Sequence, residues 1–350
     1  MNPAATIDFT GRRTEFSSSY NGSFTFYRTV EELTTFEHFF RASLQQRLTK
    51  RVTLFATENF ARAPTTDALQ VAGVPFYRIG SRTNMIGGAV EAFLTKYTTA
   101  RVDYGLRSVG FDRDVVAARD FLGGHAHEVN TSLRRKLSER VGVQARYGFT
   151  RGIIGQAIRP TAASGDLPSP PGVGSVAAPD REFNIQSAGM TALYRVSPRL
   201  NISGGAGVAR MSGTLTETAQ VGPTFNAGAT WRQEHYLATV NFERSFIPSF
   251  AFGGTFQNKE LVASLHVPFA RNRAYSDTNL SWFSSDPLYG NAPSLRSIWL
   301  SGKLGYRAAR WLSIEGYAAR SQQDSARAGG QRSRNQLGFQ LVTSKPIKLQ

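Results

Sequence analysis

The sequence predicts an all-β fold: a closed, up-and-down antiparallel transmembrane β-barrel of about sixteen strands. Three observations predict it. Sixteen stretches alternate apolar and polar residues, the connections between them are alternately short and long, and aromatic residues gather beside the short ones. Closure matters because a strand in lipid must have every backbone N–H and C=O paired within the protein.

Alternation is clearest over 294–309. Ile298, Leu300, Gly302, Leu304 and Tyr306 share one face, and Trp299, Ser301, Lys303, Gly305 and Arg307 share the other. A period of two is the signature of a strand with unlike faces. Over 255–270, Leu261, Ala263, Leu265, Val267 and Phe269 oppose Glu260, Ser264 and His266. Over 141–155, Val141, Val143, Ala145, Tyr147 and Phe149 oppose Gln144, Arg146 and Thr150. The full set of predicted strands is 14–27, 33–48, 52–65, 80–95, 99–113, 123–138, 141–155, 181–197, 200–213, 222–235, 236–250, 255–270, 274–287, 294–309, 311–326 and 333–349. Alternation is weaker over 14–27, 52–65 and 274–287. Most of these exceed the roughly 9–11 residues that a tilted strand needs to cross a bilayer. They are therefore expected to project beyond it on one side.

The connections supply the topology. Short turns fall at Thr49-Lys50-Arg51, Lys96-Tyr97-Thr98, Glu139-Arg140, Pro198-Arg199, near His235, at Arg271-Asn272-Arg273 and at Arg310. The other connections are mostly longer, the longest at about 156–180, where Pro168-Ser169-Pro170-Pro171-Gly172 forbids regular structure. Outer-membrane barrels place short turns in the periplasm and long loops outside. This rhythm predicts an outer-membrane location with both termini periplasmic, residues 1–13 as a periplasmic N-terminal segment and 14–350 as the barrel. Tyr97, Tyr194, Tyr236, Phe269, Tyr275, Tyr306 and Trp311 lie near the short turns and are read as an aromatic girdle at the membrane boundary.

Composition is consistent with this and narrows the function. The 350 residues include no Cys, which excludes disulfides, thiolate zinc sites and cysteine nucleophiles. No stretch is long and apolar enough for a transmembrane helix, and Met1-Asn2-Pro3-Ala4-Ala5 shows no basic start followed by an apolar core, so for an outer-membrane protein the numbering is expected to describe a form from which a signal peptide has been removed. The formal net charge is +16, yet charged residues make up only 19%. The longest basic run is the triplet Arg134-Arg135-Lys136, so the charge is spread along strands and no nucleic-acid partner is expected.

The polar faces carry the candidate site. Arg41, Arg101, Arg107, Arg134, Arg146, Arg195, Arg232, Lys303 and Arg307 are assigned to the lumen, with Glu91, Asp103, Glu243 and Glu315 among their acidic neighbours. A dry core could not hold so many charges, whereas a barrel of this size has room for water. The expected function is a net-basic channel that passes small anions or acidic polysaccharide by diffusion. The alternative is a structural barrel with a plugged lumen, in which the arginines brace the wall through Glu and Asp.

Other motifs add no chemistry. His125 and His127 share a face but lack a third metal ligand. Ser264 and His266 both point to the lumen, with no acidic partner placed by the sequence. Gly204, Gly205 and Gly207 sit in a strand context, not in a phosphate loop. Neither an enzymatic activity, a metal nor a cofactor is expected. The partners expected are outer-membrane lipid, the barrel-assembly machinery, and a periplasmic or secretion-system partner that could meet Arg12-Arg13.

Two hairpins carry a resemblance. They are Arg47-Leu48-Thr49-Lys50-Arg51-Val52-Thr53-Leu54-Phe55-Ala56 and Tyr194-Arg195-Val196-Ser197-Pro198-Arg199-Leu200-Asn201-Ile202-Ser203. In each, a strand ends at a short Ser/Thr-Pro/Lys-Arg turn and alternation restarts. Over 14–349 the chain resembles bacterial outer-membrane β-barrel porins, including those associated with exopolysaccharide export systems. The resemblance implies a barrel and a transport role. One departure stands out: many such barrels end in an aromatic residue read during assembly, whereas this chain ends Lys348-Leu349-Gln350, with Phe339 its last aromatic.

Overall fold

The computed structural model describes the chain except for residues 1–3, 26–34, 67–73, 75, 77–78, 113–120, 156–180, 215–218, 252–253, 272, 289–292, 310–311, 326–329 and 344–350. The described residues form one antiparallel sheet of seventeen strands. In order these are β1 (Ala4–Thr10), β2 (Thr14–Thr25), β3 (Thr35–Arg47), β4 (Val52–Ala63), β5 (Ser81–Phe93), β6 (Thr98–Phe111), β7 (Gly124–Lys136), β8 (Val141–Ile154) and β9 (Arg181–Arg195). They continue as β10 (Leu200–Gly213), β11 (Gln220–Arg232), β12 (Leu237–Ser249), β13 (Gly254–Phe269), β14 (Ala274–Pro287), β15 (Leu295–Ala309), β16 (Leu312–Ser325) and β17 (Gly330–Thr343).

Every described ladder joins strands adjacent in sequence, from β1–β2 to β16–β17. Short turns close on themselves: Leu48 N–H donates to Val52 C=O at 3.0 Å, Leu137 N–H to Val141 C=O at 2.9 Å, and Val196 N–H to Leu200 C=O at 3.0 Å. The Thr49, Thr95, Ser138 and Ser197 hydroxyls accept from backbone N–H groups two and three residues on. This side-chain turn explains why Ser or Thr begins each of these hairpins.

Strand number and closure differ from the sequence expectation of sixteen closed strands. The additional strand is β1. Ile7 and Phe9 join the apolar face, Thr6, Asp8 and Thr10 the polar one, and Gly11-Arg12-Arg13 folds the segment back so that Thr10 pairs with Glu15 and Ala4 with Asn21. With seventeen strands, β1 and β17 run the same way, and β1 occupies the β2 edge on which an antiparallel β17 would close. Among the described residues no ladder joins β17 to β1 or β2, so the sheet is not closed. Its ends are nevertheless drawn together. Arg334 on β17 lies 3.7 Å from Glu37 on β3, and its Nη1 donates to Thr65 Oγ1 just beyond β4 at 3.1 Å.

The two faces differ as alternation requires. Val102, Tyr104, Val129, Leu133, Tyr147, Met190, Ile202, Val240, Leu300 and Leu304 are exposed on the outward face. Exposed apolar side chains on strand after strand form a belt that favours an apolar surrounding. The concave face is polar and close-fitted in places. A Cβ on Gly305 would strike the Tyr275 ring, and one on Gly338 the Tyr317 ring, so glycine lets each ring lie flat on the neighbouring strand.

Candidate functional site: a basic vestibule and an apolar plug

The strand registers put Arg41, Arg101, Arg107, Arg134, Arg146, Arg195, Arg232, Lys303 and Arg307 on the face opposite the apolar belt, the concave one. They divide into two sets. Arg101 contacts Asp103 at 2.7 Å and Glu91 at 3.9 Å, and Arg107 contacts Glu128 at 3.7 Å. Lys303 bridges Asp277 at 3.4 Å and Glu315 at 3.7 Å. These pairs join neighbouring positions on the wall and cancel their own charge. Arg41 donates to Asn59 at 2.9 Å and Arg146 to Gln144 at 3.3 Å. Neither of these, nor Arg134, Arg195, Arg232 or Arg307, has a carboxylate within ion-pair distance among the described residues.

The unneutralised cations gather at the short-turn end. A cavity of about 670 Å³ there is lined by Arg134, Lys136, Arg140 and Arg195, with Glu91 and Glu139 as its acids. A second space of about 250 Å³ adjoins it, sharing Leu193, Ser203 and Asn241, and carries Arg146 opposite Glu243 and Glu260. The β7–β9 wall is therefore basic and the β12–β13 wall acidic. Such a gradient orients an anion toward the β7–β9 side.

The opposite end of the concave face is apolar, which the sequence did not reveal. Val109, Ala126, Ile154, Phe183, Ile185, Ala209, Met211, Phe246 and Phe250 form one cluster near the long connections. Phe183 and Phe250 are 1% exposed and Ile154 0%. A water-filled mouth would leave such side chains wet; burying each contributes about 1.5–3 kcal/mol. Beside it, Val74, Ile79, Phe121 and Ala251 form a second cluster, with Phe111 bridging both. Phe76, Phe283 and Trp299 form a third, the Trp299 ring lying 5.1 Å from that of Phe76 and 4.9 Å from that of Phe283.

Connections from opposite walls build this plug. The β11–β12 ladder ends at Phe225 and Arg244, while β12 runs on to Ser249 beside β13. Past that point the Phe246 ring lies against Gly222, and Gly123 N–H donates to Phe250 C=O at 2.8 Å, tying the segment before β7 to the end of β12. The β4–β5 connection reaches the β14–β16 wall. Gln323, 3% exposed, accepts from Phe76 N–H at 2.6 Å and donates to Val74 C=O at 3.2 Å and Ser297 Oγ at 2.7 Å. Arg332 Nη1 donates to Phe76 C=O at 2.7 Å. A buried amide with three such bonds is costly to release.

The aromatic assignments are sorted by register. Tyr194, Phe269 and Tyr306 are exposed on the outward face, Tyr97 is exposed at its turn, and Tyr236 stacks edge-on against Trp231 at 5.4 Å. Tyr275 is a correction. It pairs with Gly305 on the concave row, and its hydroxyl donates to Glu315, so it braces the wall and does not belong to the girdle. Trp311 lies outside the described residues, as do the 156–180 connection and the C-terminal Lys348-Leu349-Gln350.

Of the remaining motifs, His266 acquires a partner only a register reveals: its Nδ1 lies 2.6 Å from Asp277 Oδ1. The Ser264 hydroxyl bonds instead to Thr239 Oγ1 at 2.6 Å, so the three residues form wall contacts and not a Ser–His–Asp relay. His127 bonds Tyr104 at 2.8 Å on the outward face, and no metal-ligand cluster occurs among the described residues.

No protein-family model matches the chain, and no curated protein matches it. Among solved structures it is similar to the ferric-catecholate import receptor Fiu of E. coli K12 in its open form, with 11% identity and a TM-score of 0.46, covering 92% of this chain and 68% of that one. It is also similar to the FrpB iron transporter of Neisseria meningitidis (11%, TM-score 0.46, 93% and 59%). The alcaligin outer-membrane receptor FauA of Bordetella pertussis is a third (11%, TM-score 0.44, 99% and 65%). The chain thus spans about three fifths to two thirds of the length of these proteins.

Proposed function

We propose that the chain is a gated outer-membrane conduit. Its basic vestibule faces the periplasm and admits small anions or segments of acidic polysaccharide, and the apolar plug closes it on the outer side. The observation that carries this reading is the division of the concave face: unpaired arginines around a cavity of about 670 Å³ at the short-turn end, and dry phenylalanines at the other. The outward apolar belt supports placement in a membrane, and the turn rhythm supports periplasmic termini. Association with exopolysaccharide export rests on the hairpin resemblance alone.

A scaffolding barrel is the second reading, favoured by the same plug. Planar-bilayer recording separates them. The conduit reading predicts that wild-type protein is mostly closed, with brief openings that favour chloride over potassium. A steady conductance, or openings that favour potassium, contradict it.

A further inference from the structure

We propose that the rim of the outward face is a binding belt for phosphate-bearing lipid headgroups of the surrounding leaflet. The inference rests on the membrane placement proposed above. Its starting point is a pattern of opposed like charges, of which Arg62 pairs with Asp112 and Arg244 donates to Gln257. On the outward face Arg62 of β4 stands directly opposite Arg82 of β5, and Arg244 of β12 directly opposite Lys259 of β13. Like charges in directly opposed positions destabilise a ladder unless an anion lies between them.

The acids nearby neutralise only part of the rim. Asp112 pairs with Arg62 at 3.9 Å, and Glu182 with Arg151 at 3.3 Å. Asp324 is paired in register with Arg296 without closing an ion pair. Arg82, Arg210, Lys259 and Arg296 have no carboxylate within ion-pair distance among the described residues.

Height supports a lipid as the occupant. Arg296 and Tyr306 both face outward on β15, with Ile298, Leu300 and Leu304 exposed between them. At about 3.3 Å per residue and a tilt near 40°, that separation is roughly 25 Å, the height of an outer-membrane apolar belt. Arg296, and Lys259, which shares its level through Ser284, therefore stand one hydrocarbon thickness above Tyr306, where headgroup phosphates lie.

One position along the belt also has room for a chain. Beneath Arg320 and Asn335, a groove of about 500 Å³ runs between Leu300 and Leu337 over Gly302 and Ala318. A Cβ on Gly302 would meet nothing within 4 Å, so the groove floor is open to the outside. Arg320, in register with Leu300 and four residues below the level of Arg296, would reach a headgroup by extending along the groove, and guanidinium groups suit phosphate geometry.

The test uses the full chain folded in detergent micelles and reads the temperature at which its compact gel mobility is lost. Lipid A carrying both phosphates is expected to raise that midpoint by roughly 5 °C through preferential binding to the folded state. Dephosphorylated lipid A, or inorganic phosphate at the same concentration, is expected to leave it within about 1 °C of the lipid-free value. The double variants R62Q/R82Q and R244Q/K259Q, and R320Q, should each lose a substantial part of the shift, while R62K/R82K keeps it. An equal shift with inorganic phosphate or with dephosphorylated lipid overturns the belt, as does a full shift in all three Gln variants. A folded barrel without lipid preference removes the belt and leaves the conduit standing, whereas a channel that never opens leaves the belt standing.

Discussion

Replacing Phe76 and Trp299 together by serine is expected to convert a mostly closed barrel into a conducting one. Phe76 is the side chain by which the β4–β5 connection docks on the far wall, packed edge-on against Trp299, which in turn packs edge-on against Phe283. Truncating a buried aromatic costs about 3–5 kcal/mol. Each 1.4 kcal/mol of that, placed on the closed state alone, raises the open fraction about tenfold. The ladders that build the wall do not pass through Phe76, so compact gel mobility should survive while open probability rises by about a hundredfold or more. Gln323→Ala is a milder companion. It leaves Phe76 N–H and Val74 C=O without their amide partner and should raise open probability about tenfold, at a cost near 1–3 kcal/mol. Unchanged recordings from both variants would mean that the plug is not the gate.

Charge reversal in the vestibule is the second large effect. In the open background, Arg134→Glu, Arg146→Glu and Arg195→Glu together should invert selectivity from chloride to potassium. Each removes a cation that has no carboxylate partner, so the charge lost is field acting on the path. The inversion should be strong at low salt and shrink as salt rises, because the screening length falls from about 10 Å at 0.1 M to about 3 Å at 1 M. Lys303→Gln provides the contrast. Lys303 already balances Asp277 and Glu315, so its loss should weaken the wall with little change in selectivity. Equal effects from the two replacements would argue against a distinct vestibule.

Much of this molecule was legible in its sequence. The span 141–155 became Val141–Ile154, and 200–213 became Leu200–Gly213. Alternation and turn residues are local, and hairpins are the most local of tertiary contacts. β1 was missed because only Ile7 and Phe9 announce it, within seven residues that end in a turn. Tyr275 was misassigned because closeness to a turn does not give the face; counting back from Leu280, opposite Leu300, would have placed it inside. The plug was hidden for a deeper reason. An inward phenylalanine near a strand end has the same alternation as an outward one, and only contacts between distant connections show which is dry. One signal was present: Trp299, Met211 and Ile154 interrupt otherwise polar rows near the long connections. Side-chain pairing was similarly invisible, since the His266–Asp277 hydrogen bond and the Arg334–Glu37 contact depend on register and on the curl of the sheet.

The absence of cysteine makes one measurement especially direct. Single cysteines placed at Arg134, Phe183 and Leu300 would report the vestibule, the plug and the apolar belt, each probed by a membrane-impermeant maleimide. In intact cells none of the three should be labelled from outside. After the periplasm is opened, the cysteine at 134 should react rapidly, while those at 183 and 300 stay protected. Rapid labelling of position 134 from outside in the wild-type plug background, or labelling of position 300 by the water-soluble reagent, would contradict an outwardly closed, membrane-embedded conduit.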